Sequence, residues 1–456
     1  MTGNSALQEL FDASGTAELI SHGAKYTATA LHHGANDWSR ALRRAGIARG
    51  DRVVCSLPNG AAFAQLLVAS LADGITLAPV PPGEDVRPLL VALDARLAIA
   101  PTSTSEHVSE PSPSGGPPRV PMLPRRSKAR TDTIAFLLRT SGTVGQPRWI
   151  ALSETGVMAV LLSHLPLLGM DGASTLCVLP WSHAFGLVLG LLPALLRARR
   201  IVTVPDSDRS PDMLIATARA QHVSHMNMVP LIATRFGQTD DGQALLRSLT
   251  SGLVGGAAID ARLAELLSTT KLRVGYGQTE ASPGIMLGHS GEFHALIIGR
   301  PVGCTVRIDD DGVLAFRGPN VCDGVWYDGA LHSQEPERWQ RTDDLVSVEE
   351  GVYTFVGRAA ASFKLANGHM VQAPQLEASL RHRIPRITDV VLTTVSGDFI
   401  DVLYSTRDET LVSEDEIRRV FGRLGTYLRS VTPVGVDAWV RTPKGDIDRL
   451  HLPHVR

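Results

Sequence analysis

"RTSGTVGQPR", Arg139 to Arg148, decides how the chain is read. It follows an apolar run, "TIAFLL", with the composition of a buried strand. Three hydroxyls (Thr140, Ser141, Thr143) and two glycines (Gly142, Gly145) crowd the turn after it. Glycines let backbone N–H groups turn toward an anion, and hydroxyls add further donors. Arg148 brings positive charge. The spacing does not fit the Walker A loop, which needs a Gly-Lys-Ser/Thr ending. On composition alone the stretch reads as a phosphate loop or as a polar turn between strands.

Around this loop the chain alternates strand and helix. "GDRVVCSLPN" reads as turn, strand and turn, "AAFAQLLVASLADG" as a helix ending at Gly74, and "ITLAPVPP" as a strand closed by prolines. Trp38 and Leu42 recur with helical spacing just before them. Residues 101–130, rich in Pro, Ser and Arg, read as a surface loop or linker. Past it, "TIAFLLRT", "STLCVLP", "RRIVTV", "VSHMNMV" and "KLRVGYG" are expected strands. The alternation implies an α/β layer with parallel strands. From about residue 300 the pattern becomes β-hairpins with Asp-Gly and Glu-Gly turns. After Arg358 the expectations are a helix at "APQLEASLRHRI", strands at "ITDVVLTTV" and "FIDVLYST", a helix at "VSEDEIRRVFGRLG" and a last strand at "TPVGVDAWV". The fold class expected is α/β. Residues 1–357 form a large domain of layered α/β sheets with a β-rich subdomain, and residues 358–456 a small, mobile α+β domain.

The chain has 456 residues, more than one ordinary core accommodates, so two or more domains are expected. A formal net charge of −2 gives no bulk attraction to nucleic acid or anionic lipid. The balance fits a cytosolic enzyme, hence a cytoplasmic location. The start, "MTGNSALQELFDASG", lacks a basic segment and an apolar run, so no signal peptide is expected. "AVLLSHLPLLGM" and "FGLVLGLLPALL" are too short to span a bilayer and read as buried helices. Four dispersed cysteines lack zinc-site spacing. Only five of the 44 basic residues are lysines, so any ammonium chemistry has few candidates.

"TSGTVGQPR" resembles the phosphate loop of the adenylate-forming superfamily, which contains acyl- and aryl-CoA synthetases, peptide-synthetase adenylation domains and beetle luciferases. The superfamily's other motifs follow in order. "PWSHAFG" (180–186) resembles its "PxxHxxG", "GGAAI" (255–259) its "GGAPL", and "GYGQTE" (275–280) its "YGxTE". "RTDDL" (341–345) resembles "TGDL", "GRAAASFKLANGHMVQAPQLE" (357–377) the hinge motif, and "TPKGDIDR" the closing "TxxGKIDR".

The resemblance implies condensation of a carboxylate with ATP, giving an acyl-adenylate and pyrophosphate. A thiol or amine then takes the acyl group, so CoA, a phosphopantetheine carrier protein or an amine is the implied acceptor. It implies that Thr140, Ser141, Gly142 and Thr143 wrap the outer phosphates, with Arg148 at the end of their loop. Thr279 touches the α-phosphate and Glu280 helps hold Mg²⁺. Tyr276 stacks on adenine, with Gly255, Gly256 and Ala257 on its other side and Gly277 next in the motif. Asp344 takes the ribose hydroxyls and Arg358 reaches the nucleotide. His183 lies by the substrate carboxylate. His222 and His225 read as pocket wall rather than a metal pair, and Ala184, Phe185, Met226, Met228, Val254, Ala281 and Pro283 are further pocket candidates. "HAFGLVLG" lacks the Asp that amino-acid-activating relatives carry there, which points to an uncharged acyl or aryl acid.

Departures from the pattern are specific. Arg148 stands where the loop usually ends in Lys, Asp343 replaces the Gly of "TGD", and Ala361 fills an acidic hinge position. Asp446 aligns with the lysine that bridges carboxylate and α-phosphate, and a carboxylate there repels both. Lys444, two residues upstream, is the candidate substitute. Alternatives within the superfamily are a diazotase acting on nitrite and an aryl amine, or a homologue that binds nucleotide without catalysis.

Overall fold

The structure, a computed structural model, describes residues 17–100, 122–124, 134–140, 148–205, 209–335, 338–359, 363–366, 370–371, 373–394, 397–441, 447–448 and 451–452. The expected linker at 101–130 lies almost wholly outside them. The chain divides into two compact units: Met1–Val306 with Phe316–Gln340, and Arg307–Ala315 with Arg341–Arg456.

The first unit is built on a sheet whose centre runs parallel. Arg52–Cys55 lies between Thr76–Pro79 and Leu97–Ile99, and Thr76–Pro79 pairs in parallel with Ile134–Arg139. These strands are buried along nearly their whole length, which is why they read as continuous apolar runs rather than alternating ones. Arg52 is the exception: fully buried, it donates to the Leu93 and Asp94 carbonyls and the Asp94 carboxylate, with its guanidinium 4.5 Å from the Trp326 ring centre. Ile134–Arg139 then turns back antiparallel into Trp149–Ser153, so the glycine-rich loop joins two adjacent strands.

Helix Ala28–Arg44 starts at the Thr27 cap and buries Leu31, Trp38 and Leu42. It packs on Ala61–Asp73, which Gly74 ends in the left-handed conformation (φ 65°). Helix Glu154–Leu168 differs from its expected burial: Leu162 and Leu167 are exposed. The other apolar stretch is buried as expected, through Ala184–Gly186, Leu187–Leu191 and Leu192–Arg197. Among the described residues no helix is long and apolar enough to cross a membrane.

"VSHMNMV" is not a strand. It pairs through isolated bridges, His225 with Thr175 and Ser251 and Met228 with Val254, and between these the buried Asn227 side chain takes the Leu253 N–H that a continuous ladder would use.

In the second unit, Ile387–Thr393 and Ile400–Thr406 pair antiparallel, and Leu428–Pro433 joins the latter in parallel. The last expected strand is therefore displaced: residues 436–438 form a 3-10 turn, and Trp439 folds back onto Val391 and Leu403. Helix Ala373–Arg383 packs on this sheet, and buried Glu377 accepts the Leu392 N–H at 2.6 Å. Helix Glu414–Phe421 begins at a Ser413–Glu416 capping box, matching its acidic start.

Candidate active site

In the first unit, strands Leu253–Gly255 and Arg273–Tyr276 run parallel in the register Gly255 to Gly275. Their carboxyl ends therefore bring Gly256 and Tyr276 to one edge, the side of a parallel sheet where ligands bind. A Cβ on Gly255 would sit 2.1 Å from the Gly275 carbonyl oxygen, so only glycine lets these strands close. Gly256 is different. It is exposed at φ +87°, and the nearest atoms to a Cβ there are Val229 Cγ1 at 3.7 Å and Phe185 Cδ1 at 4.0 Å. Both are ordinary contacts, so Gly256 is not crowded as Gly255 is, and Ala257 and Tyr276 beside it are half-buried.

After Tyr276 the chain turns sharply. Gly277 has no room for a side chain, since a Cβ would lie 1.6 Å from the Pro283 carbonyl oxygen. Thr279–Ala281 forms a 3-10 turn with Thr279 and Glu280 half-buried. The turn is tied down when the Cys322 N–H donates to the Glu280 carbonyl at 2.8 Å. The next residue continues the tie: Asp323 N–H donates to the Ala151 carbonyl, and its carboxylate accepts the Ser153 N–H at 2.8 Å. Glu280 is thereby linked to the strand leaving the glycine-rich loop. Burial, and next the Glu280 charge, push the Cys322 thiol up to about 12.

At the base of that loop, Thr140 N–H donates to the Arg148 carbonyl at 2.9 Å. Arg139 makes two 2.6 Å bonds to Glu84 and lies over Trp149, while the Arg148 side chain is exposed. Ser141, Gly142 and Thr143 lie outside the described residues.

His183 is exposed, at the start of the short helix Ala184–Gly186, between buried Ser182 and Ala184. Phe185, half-buried, reaches toward Gly256, so the histidine segment and the glycine edge meet. Met226, Met228, Val254 and Ala281 are wholly buried. His222 is exposed and His225 buried, the latter bonded through Nδ1 to Thr175 Oγ1 at 2.9 Å. The two do not form a pair, and among the described residues no group of three His, Cys, Asp or Glu could hold a metal ion.

In the second unit, Asp344 and Arg358 are cross-strand partners joined at 2.7 Å, with the Asp344 side chain almost fully buried. Two residues taken separately from the motifs thus act as one ion pair. Asp343 adopts φ 63°. This is a left-handed backbone, which Asp tolerates better than most residues. Lys444 and Asp446 lie outside the described residues. Their segment is flanked by an antiparallel bridge between Arg441 and Ile447.

Sequence reasoning missed two asparagines. Asn59, in "SLPNG", donates to the Leu179 carbonyl at 2.8 Å and accepts the Trp181 N–H at 2.9 Å, fixing the approach to His183. Asn227 makes a similar pair of bonds beyond it, to the Leu189 carbonyl and the Leu253 N–H. The available signal was a lone amide inside an apolar run.

Residues 12–326 match the model of the AMP-binding enzyme family, and the chain belongs to that family of adenylate-forming ligases. It is 23% identical over 439 residues to a medium-chain fatty-acid–CoA ligase of Escherichia coli (strain K12), covering 84% of this chain and 76% of that one. The fold matches Escherichia coli MenE carrying a bound OSB-AMS analogue, with TM-score 0.77 at 20% identity over 97% of this chain and 98% of that one. It also matches ATP-bound MatB from Rhodopseudomonas palustris, with TM-score 0.79 at 18% identity over 98% of both chains.

Proposed function

We propose that the protein condenses a non-amino-acid carboxylic acid, acyl or aryl, with ATP. The products are an acyl-adenylate and pyrophosphate, and the acyl group then passes to CoA, a carrier-protein thiol or an amine. The observation that carries this reading is the meeting of the exposed His183 segment with the glycine edge at Gly256. A carboxylate beside one and an adenine on the other share a single cleft edge. No acidic residue follows His183 through Gly190 to pair with an α-amine.

In this reading the acid's oxygen attacks the α-phosphorus and pyrophosphate leaves, so charge builds on the phosphoryl oxygens. The protein's task is to hold the reactants in line and offset that charge. Tyr276 and the Gly255–Ala257 edge hold the base, with Gly277 setting the path between Tyr276 and Thr279. Asp344, oriented by Arg358, takes the ribose hydroxyls. Thr140, Ser141, Gly142, Thr143 and Arg148 take the β- and γ-phosphates, and Thr279 the α-phosphate. His183 faces the carboxylate.

Glu280 suits Mg²⁺. One carboxylate combined with substrate phosphates is how this ion is commonly held, and the Glu280 charge is felt by the Cys322 thiol. Bound there, the ion neutralises phosphate charge. Lys444 supplies the ammonium at closure, carried by a mobile domain of residues 358–456 against a large domain of residues 1–357.

The test is pyrophosphate release against fatty, aryl and small acids, with nitrite plus an aryl amine as a further arm. Release with an acid is expected, and Glu280→Gln should lower kcat about 100-fold, with Lys444→Ala also impaired. ATP binding without pyrophosphate release on any acid overturns the reading.

A further inference from the structure

The helix that follows His183 contains its own break. Leu189 is four residues before Pro193, and a proline has no N–H to give the carbonyl four residues back. The turn there is widened: the Leu192 N–H donates to the Leu187 carbonyl, five residues earlier. The Leu189 carbonyl instead accepts from Asn227 Nδ2 at 2.7 Å. Asn227 Oδ1 accepts the Leu253 N–H at 2.9 Å, at the start of the strand that ends at Gly255. The amide is 5% exposed, so neither bond has a solvent substitute. Its flanking residues extend the tie, because Met228 N–H donates to the Leu253 carbonyl and Gly255 N–H to the Met228 carbonyl.

We infer that Asn227 is a positioning residue for the adenylation reaction. It locks the helix that begins at His183 to the strand that ends at Gly255–Gly256, and so sets the distance between the carboxylate side and the adenine side of the cleft. The inference rests on the function proposed above. Leu189 sits one helical turn after Phe185, whose ring lies near Gly256, so a slip of the helix moves Phe185 along the glycine edge. The broken helix removes a strong local preference, and one side chain from another segment decides the register instead.

The test compares wild type with Asn227→Leu, which keeps the volume and removes both bonds. Thr203→Val is a control for a lost buried hydroxyl in a different sheet. With an acid that supports pyrophosphate release, Asn227→Leu should lower kcat about 100-fold while KM for ATP stays within about threefold. Thr203→Val should lower Tm with kcat unchanged. A purely structural role would appear as a Tm loss in Asn227→Leu with kcat unchanged, and that result overturns the inference.

If wild type turns over no acid, the proposed function fails by itself, and amide hydrogen exchange without ligand decides the positioning claim. Asn227→Leu should then speed exchange about tenfold at residues 184–192 and 253–257, leaving Arg52–Cys55 protected. Uniform acceleration across all three overturns it.

Discussion

The glycine edge of the first unit and the three-stranded sheet of the second are held together by different forces. At the edge, Gly255 faces the Gly275 carbonyl, Gly277 faces the Pro283 carbonyl, and neutral asparagines bridge carbonyls and amides. In the second unit, charge does comparable work. Asp401, fully buried, takes two bonds from Arg429 at 2.8 and 2.6 Å and one from Ser430. Arg386 pairs with Glu416, and Arg441 with Asp389. Strands that approach this closely are held by backbone and neutral amide bonds, which need no counter-charge in the narrow space between them. A small unit with a modest core gains from side-chain pairs that fix its strands.

The contrast breaks if steric and charge changes act alike in both places. The largest effect is expected at Gly277. Gly277→Ala drives a methyl into the Pro283 backbone and should cost more than about 3 kcal/mol, read by urea denaturation. Two buried histidines make the first unit sensitive to acid. Burial lowers both His164 and His225 from 6.5 to about 4, with the Val160 carbonyl partly opposing the shift at His164. The unfolded chain therefore takes up these protons first. Stability is full above pH 6.5 and should fall by about 3 kcal/mol per histidine as pH drops toward 4. Urea midpoints at pH 7 and pH 4.5 should separate less when His164→Gln and His225→Gln are combined. The smallest effect belongs to the second unit. Arg429→Ala strips the buried Asp401 carboxylate of one partner, but Arg429 is itself partly exposed and Ser430 still bonds the carboxylate, so the cost should be about 2 kcal/mol, seen as faster amide exchange in Ile400–Thr406. If Gly277→Ala is tolerated while Arg429→Ala unfolds the chain, the comparison is reversed.

Much of this was legible in the sequence. Buried parallel strands announce themselves by uninterrupted apolar runs, and the ordered motifs point to the family by themselves. The glycines of "GGAAI" are expected beside a flat base. Gly256 is uncrowded, while Gly255 and Gly277 serve close approach of the backbone itself. A glycine's reason lies in what faces it, and the sequence does not name its neighbour. The misplaced last strand has a similar cause. "TPVGVDAWV" has strand composition, but Trp439 gains more by covering Val391 and Leu403, with its indole N–H on Ser405 at 2.5 Å.

Hydrophobic period, turn residues and motif order, all local quantities, determined the α/β class, the sites of most elements and the adenylate-forming family. Which partner each polar group meets was decided by tertiary structure alone. Asp344 meets Arg358 across a strand pair, Asn59 meets Leu179 and Trp181, and Asn227 meets the Leu189 carbonyl and an amide 26 residues further on. Such bonds form only after distant segments have packed, because until then water satisfies every one of these groups equally well.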